Sequence, residues 1–308
     1  VARGAGRGVL RPAMASMTTM SEIPQIRKYE LGSRIGRGAG ATISLAYERT
    51  TRQPFAIKHV VCRNPDDARF IVQAENEFHV AQRMDHPYLR KCYELIRSRR
   101  WLKTRELFLV MDYVDGERLE DRCPERLGDV VSIFTRVATG LHAMHMAGFA
   151  HADIKPNNIL LEKNGGLKII DFGQSCPLGH RKTRLQGTPD FMAPEQVARQ
   201  RIDHRTDVFN LGATMYWVVT GKWFKTLMPA GPAATKKIAL EQCRGSVPPR
   251  ELNPLVPLSL SRLIMECCES NPELRPPDMR KVASRLEVVQ HLLDQKSASA
   301  VIRPAGKV

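Results

Sequence analysis

From Tyr29 to Val60 the apolar positions fall in short runs, YELGSRIG, ATISLAYE and PFAIKHV, rich in β-branched and aromatic residues and broken by Gly and Pro. Such runs predict strands of an antiparallel sheet joined by tight turns. The pattern changes at Asn64, Pro65, Asp66 and Asp67, which supply an N-cap, an N1 proline and first-turn acids complementing the helix dipole. A helix is expected from there to about Met84. After it, YLRKCYELI and ELFLVMDYV read as two more strands, joined by a basic turn, RSRRWLKTR. Beyond Gly116 the period becomes helical: Val130, Ile133, Phe134, Val137, Ala138 and Leu141 share one face, and Gly148 stands where a C-cap belongs. The brief strands KII and ILL are the exceptions. The expectation is an α+β fold in two lobes: a small antiparallel β-rich N-lobe with one main helix (29–112), a hinge (112–116) and a larger, mostly helical C-lobe (117–293).

The two ends lack this periodicity. Residues 1–28 begin with Arg3, Arg7 and Arg11, carry no acid before Glu22 and read as a disordered arm. Acid-poor, Arg-rich starts also resemble organelle transit peptides; Met14, Met17 and Met20 favour upstream read-through instead. Residues 294–308 read as a frayed tail or a linker cut short.

Composition narrows the classes. A chain of 308 residues with 43% hydrophobic content can bury one large or two modest cores, which excludes disorder as the main state. No apolar run approaches the roughly 20 residues that cross a bilayer, so no membrane span is expected. Seven cysteines show no CxxC pair and no companion histidines at zinc-finger spacing. Reduced thiols and a cytoplasmic location fit that pattern better than a disulfide framework. The net charge of +15 favours acidic partners, but no nucleic-acid-binding signature accompanies it, which argues against nucleic acid.

Two features suggest chemistry before any family is considered. Gly36, Gly38 and Gly40 lie between the first two strands, where missing side chains let backbone N–H groups approach a polyphosphate; a glycine-rich hairpin can equally be only a turn. In the predicted helix, Ala74, Glu77, Phe78 and Ala81 share a face, whereas Glu75 points elsewhere. A carboxylate on an inward, apolar face is costly unless a cation meets it.

The segment HADIKPNNIL then resembles the catalytic loop HRDLKPENIL of protein kinases, and DFG follows at Asp171, thirteen residues after Asn158. FAIK resembles the VAIK strand, IGRGAGATI a glycine-rich loop with Ala41 in its third glycine position, and GTPDFMAPE the end of an activation segment. These blocks, in order over about Tyr29 to Leu293, resemble the eukaryotic-like serine/threonine protein kinases, with compact segments similar to those of bacterial members.

The resemblance implies a two-lobed protein-kinase-like fold and transfer of the γ-phosphoryl of ATP, with Mg²⁺ or Mn²⁺, to a protein Ser or Thr hydroxyl. By it, Asp153 is the catalytic base, Lys155 neutralises the moving phosphoryl, and Asn158 and Asp171 hold metal. ATP would lie against Ile35, Gly36, Arg37, Gly38, Ala39, Gly40, Ile43, Ala56, Lys58, Met111, Asp112 and Val114, with Glu77 pairing Lys58. Ser175, Thr183 and Thr188 fall in the activation segment; Glu195, Asp207 and Arg275 are structural supports, Glu195 with Arg275.

Two rivals are a pseudokinase scaffold, opposed by the intact Lys58, Asp153, Asn158 and Asp171, and a small-molecule kinase, opposed by GTPDFMAPE. Arg118 and Asn157 stand where Arg-directed members of the family often carry acids, and Arg181, Lys182 and Arg184 add positive charge, so a protein substrate neutral or acidic around its acceptor is expected. Ala152 replaces the arginine that in regulated members binds an activation-segment phosphate, which predicts activity without that phosphate; Lys182 and Arg184 are left as weaker, screened partners for one.

Overall fold

The computed structural model describes residues 26–38, 40–100, 103–225 and 245–301. Most of the expected N-terminal arm, Ala39 of the glycine-rich turn and the end of the expected tail lie outside the described residues.

The N-lobe is one five-stranded antiparallel sheet of β1 (Tyr29–Gly38), β2 (Ala41–Glu48), β3 (Pro54–Val61), β4 (Cys92–Arg100) and β5 (Lys103–Asp112), in the order β1-β2-β3-β5-β4. Strand alternation divides its residues between two cores. Phe55 and Ile57 join Phe108 and Val110 on one face, while Ala56 and Val60 belong to the large core continuous with the helical lobe. Ile26, 2% exposed, joins the first of these, so the ordered domain begins before Tyr29.

Helix α1 (Ala68–Ala81) is preceded by a 3-10 turn over Pro65–Asp67. That turn carries a reciprocal capping box in which the Asn64 side chain accepts from the Asp67 amide and the Asp67 carboxylate from Asn64 N–H. The expected basic turn at residues 97–105 is strand over 97–100 and 103–105, where Ser98 pairs with Glu106, Arg99 with Thr104 and Arg100 with Lys103; residues 101–102 lie outside the described residues. A strand with few burial demands tolerates charge, and there composition misleads.

The C-lobe is built on α2 (Leu127–Met146) and α4 (His204–Thr220), with a one-turn helix α3 (Pro194–Val197) between them. Val130, Ile133, Phe134, Val137, Ala138 and Leu141 of α2 are all buried, as their spacing requires. The chain enters the lobe through β6 (Gly116–Arg118), which pairs with β7 (Ile159–Glu162). A Cβ on Gly116 would stand 2.1 Å from the Leu161 carbonyl oxygen, so only glycine permits that approach. The last helix runs Met279–Val301, past the boundary expected at residue 293; QKSASAV contains neither Gly nor Pro to stop it. Among the described residues no helix is long and apolar enough to cross a membrane.

Candidate active site

Between the sheet and the helical lobe lies a cleft of about 700 Å³, walled by residues that include Gly38, Ile43, Lys58, Asp153, Asn158 and Asp171. Strand register places its roof. Ile43 pairs with Lys58, and Ala56 with Met111, so Ile43, Lys58, Ala56 and Met111 stand on one face of the sheet. Asp112 accepts from Lys91 N–H and from the Tyr93 hydroxyl at 3.0 and 2.5 Å, so its carboxylate turns away from that face; Val114 follows in the hinge, half-buried. At the front, Ile35 and Arg37 are exposed on β1, which bends through irregular register before Gly36. Gly40 has φ +71°, and any Cβ there would run into the Phe70 ring, so this position needs glycine twice over.

Lys58 donates to Glu77 at 2.7 Å and lies 3.7 Å from Asp171. Burial works to strip the proton from Lys58, but Glu77 and Asp171 outweigh it and hold its pKa above the ordinary lysine value. Glu77 is fully buried and takes a second cation, Arg90, on its other oxygen at 2.8 Å. Arg90 is a residue that reading the sequence missed. The available signal was an arginine inside the apolar run YLRKCYELI, where a charge must find a partner. Glu75 pairs at the surface with Arg97, as its direction on α1 requires.

Asp171 sits at φ +66°, a left-handed conformation costing a non-glycine residue about 1–3 kcal/mol. Burial raises its pKa, but Lys58, Arg90, His151 and Lys155 more than reverse this and keep the carboxyl below its usual range. Asn158 commits its amide nitrogen to the Asp153 carbonyl at 2.8 Å, which leaves its Oδ1 as the uncommitted acceptor. A carboxylate ionised at neutral pH and an amide oxygen free to ligate are the hard oxygen donors that Mg²⁺ or Mn²⁺ takes.

Asp153 is the most tightly held of these groups. Its Oδ1 accepts from the Thr188 amide (2.9 Å) and hydroxyl (3.0 Å), and its Oδ2 from Lys155 (3.0 Å). Lys155 also reaches the Thr188 hydroxyl at 2.5 Å. Beneath the loop, the fully buried Asp207 accepts from the amides of His151 (2.8 Å) and Ala152 (2.7 Å) and meets His145 Nε2 at 2.8 Å. These bonds hold Ala152 at φ +59°, where its methyl packs with Ala150, Cys176 and Ile202. Gln196, also unforeseen, joins Ala152 to the activation segment: it donates to the Ala152 carbonyl at 2.8 Å and accepts from Ala193 N–H at 2.9 Å.

The activation segment departs from expectation at two points. Ser175 is 4% exposed, with its hydroxyl on the His151 carbonyl, so a phosphate cannot be added there without opening the segment. Lys182, expected as a surface partner for phosphate, is turned inward onto the Gln174 carbonyl at 2.5 Å. Thr183 is exposed. Glu195 and Arg275 form a two-pronged pair at 2.7 and 2.9 Å in the C-lobe interior.

Comparison with known proteins agrees with this geometry. The chain is 26% identical over 289 residues to a probable serine/threonine-protein kinase of Clostridium acetobutylicum, covering 90% of this chain and 42% of that one. It is 27% identical over 281 residues to the serine/threonine-protein kinase pkn3 of Myxococcus xanthus (85% and 50%). To the serine/threonine-protein kinase PknB of Mycolicibacterium smegmatis it is 28% identical over 274 residues (84% and 42%). The chain thus spans half or less of the length of these relatives. Residues 29–291, which hold the whole cleft described above, match the family described as the protein kinase domain, and the chain belongs to that family.

Proposed function

We propose that this chain is a serine/threonine protein kinase that uses ATP and a divalent cation, with Asp153, Lys155, Asn158 and Asp171 as its working groups. The observation that carries the reading is Asp153 itself, a carboxylate in the cleft locked by Thr188 and Lys155, with the metal-type donors Asn158 and Asp171 in the same cleft wall. Asp153 accepts the proton of the acceptor hydroxyl as its oxygen bonds to the γ-phosphorus; the bond from that phosphorus to the bridging oxygen breaks, and its electron pair leaves with ADP. Lys155 stands beside Asp153 to offset charge on the moving group, and Lys58 is fixed by Glu77 to grip the other phosphates. Asn158 and Asp171 would hold the divalent cation, which when bound would neutralise phosphate charge. The test is incubation with γ-labelled ATP and Mg²⁺ and a generic protein mixture: label on Ser and Thr supports the reading, and no label on any protein or on the enzyme itself sinks it.

The substrate is a protein segment neutral or acidic around its acceptor. Arg37, Arg69, Arg118 and Arg184 line the cleft, and none has an ion-pair partner among the described residues. Lys182 drops out of this group because it faces inward. Glu120, which accepts from Asn157, restores some negative charge beside the catalytic loop. The four arginines outweigh it, and peptides with acids flanking the acceptor are expected to show kcat/KM about tenfold higher than those with upstream arginines. Equal or reversed preference at low salt would contradict this account.

Activity is expected without activation-segment phosphate. Protein co-expressed with a phosphatase and shown by mass spectrometry to be unmodified should phosphorylate substrate without a lag, and Thr183→Ala should change turnover no more than about threefold. Thr188→Ala should instead lower turnover about tenfold or more with little change in melting temperature, since it removes a direct bond to Asp153. A lag abolished by pre-incubation with ATP is the contrary result.

A further inference from the structure

The four carbonyl groups that follow Asp171 are each met by a side chain from outside the turn. Asn76 Nδ2 lies 3.2 Å from the Phe172 oxygen, 3.3 Å from Gly173 and 2.8 Å from Ser175. Lys182 Nζ takes the remaining one, Gln174, at 2.5 Å. An amide nitrogen has two protons for three acceptors, so its bond to Ser175 is the principal one and the other two share. Asn76 directly precedes Glu77 on α1, so one helix sends adjacent side chains to Lys58 and to the segment after Asp171. Lys182 comes from the activation segment itself. Among the described residues it makes no ion pair, and its ammonium spends itself on a backbone carbonyl. Burial lowers its pKa, and the neighbouring Cys176, Asp153 and Asp207 offset that only in part. Between His151 and Asp153 the catalytic loop presents the buried methyl of Ala152 and no charge.

Resting on the kinase reading above, we propose that Asn76 and Lys182 are positioning residues for phosphoryl transfer, a clamp that fixes Asp171 against α1 and orders the activation segment with no phosphate on it. The clamp acts through the backbone. Asp171 holds a strained left-handed conformation, and four anchored carbonyls immediately after it are what prevent that turn from relaxing. Lys58 then finds Glu77 and Asp171 together, because the helix that carries Glu77 also carries Asn76.

The test compares full-length Asn76→Ala, Lys182→Met, Lys182→Arg and the double variant Asn76→Ala/Lys182→Met, by steady-state kinetics and by hydrogen exchange of the amides from Gly173 to Cys176. Asn76→Ala and Lys182→Met are each expected to lower kcat about tenfold with KM for ATP within about twofold, to raise the Mg²⁺ concentration for half-maximal rate, and to speed exchange in that stretch. Lys182→Arg, which keeps an inward cation, should retain at least about a third of the activity. The double variant should cost less than the product of the single losses, since the two side chains hold one segment. Unchanged kcat and unchanged exchange in both single variants would overturn the clamp. So would losses that track melting temperature and leave the Mg²⁺ requirement alone. Exchange is read without turnover, so a wild-type protein that transfers no phosphate would refute the kinase reading while the exchange data still decided whether the clamp exists.

Discussion

Asp171→Asn is expected to lower phosphoryl transfer at least about a hundredfold, a loss of roughly 2.7 kcal/mol of transition-state stabilisation, while the protein stays folded. The substitution keeps the shape of the side chain and removes one unit of negative charge. In the wild type that charge is present throughout the neutral range, because Lys58, Arg90, His151 and Lys155 overcome the burial penalty and keep the carboxyl below its ordinary value. A neutral amide cannot offset a divalent cation, so an interaction made most strongly as charge develops in the transition state is lost. Folding survives because Lys58 retains its nearer partner, Glu77, at 2.7 Å against 3.7 Å to Asp171. Turnover of label from γ-labelled ATP onto protein, measured alongside a melting curve, checks both halves. Near-wild-type turnover in a folded Asp171→Asn protein would remove Asp171 from the catalytic assignment.

What could be read from the chain followed the range of the interaction that revealed it. Glu77 announced itself because an acid three residues after Ala74 and four before Ala81, on an apolar helix face, has no cheap place to go, and the structure gives it two cations. The face of α2 was legible for the same local reason. Asn76, Gln196 and Glu120 were not, since each works on a segment distant in sequence: Asn76 reaches carbonyls nearly a hundred residues on, and no periodicity encodes that meeting. Ser175 shows the converse error. A serine four residues past Asp171 reads as a modifiable surface group until packing buries it, 4% exposed, under the His151 carbonyl. Lys182 and the charged strand residues 97–100 and 103–105 were both misjudged by composition, which counts charge but not direction. Burial of Ile26 and the continuation of the last helix to Val301 depend on tertiary contact and on the absence of a stop signal, neither of which a periodic pattern measures.

The second large effect is on stability, at Glu195 and Arg275. The Arg275 side chain is wholly buried and that of Glu195 is 5% exposed, so neither charge can be left to water. The guanidinium makes parallel bonds to both carboxylate oxygens at 2.7 and 2.9 Å, gives Nε to the Glu269 carbonyl at 2.8 Å and Nη1 to the Arg205 carbonyl at 2.9 Å, and lies over the Phe209 ring. Thr206 completes the Glu195 side with a bond of 2.9 Å. Such a pair contributes little net stability relative to apolar residues of similar volume, but removing one partner strands the other's charge. Arg275→Met and Glu195→Gln are each expected to cost about 3–5 kcal/mol in urea unfolding. Arg275→Met should also loosen α3 and, through Gln196, the catalytic loop, so activity should fall before global unfolding as urea is added. The double variant Glu195→Gln/Arg275→Met is the decisive member of the series. With no lone charge left inside, it should cost clearly less than the sum of the single changes. Single losses below about 1 kcal/mol, or strict additivity in the double, would mean that water or a rearranged neighbour reaches this pair and that it does not anchor the end of the activation segment to the large lobe.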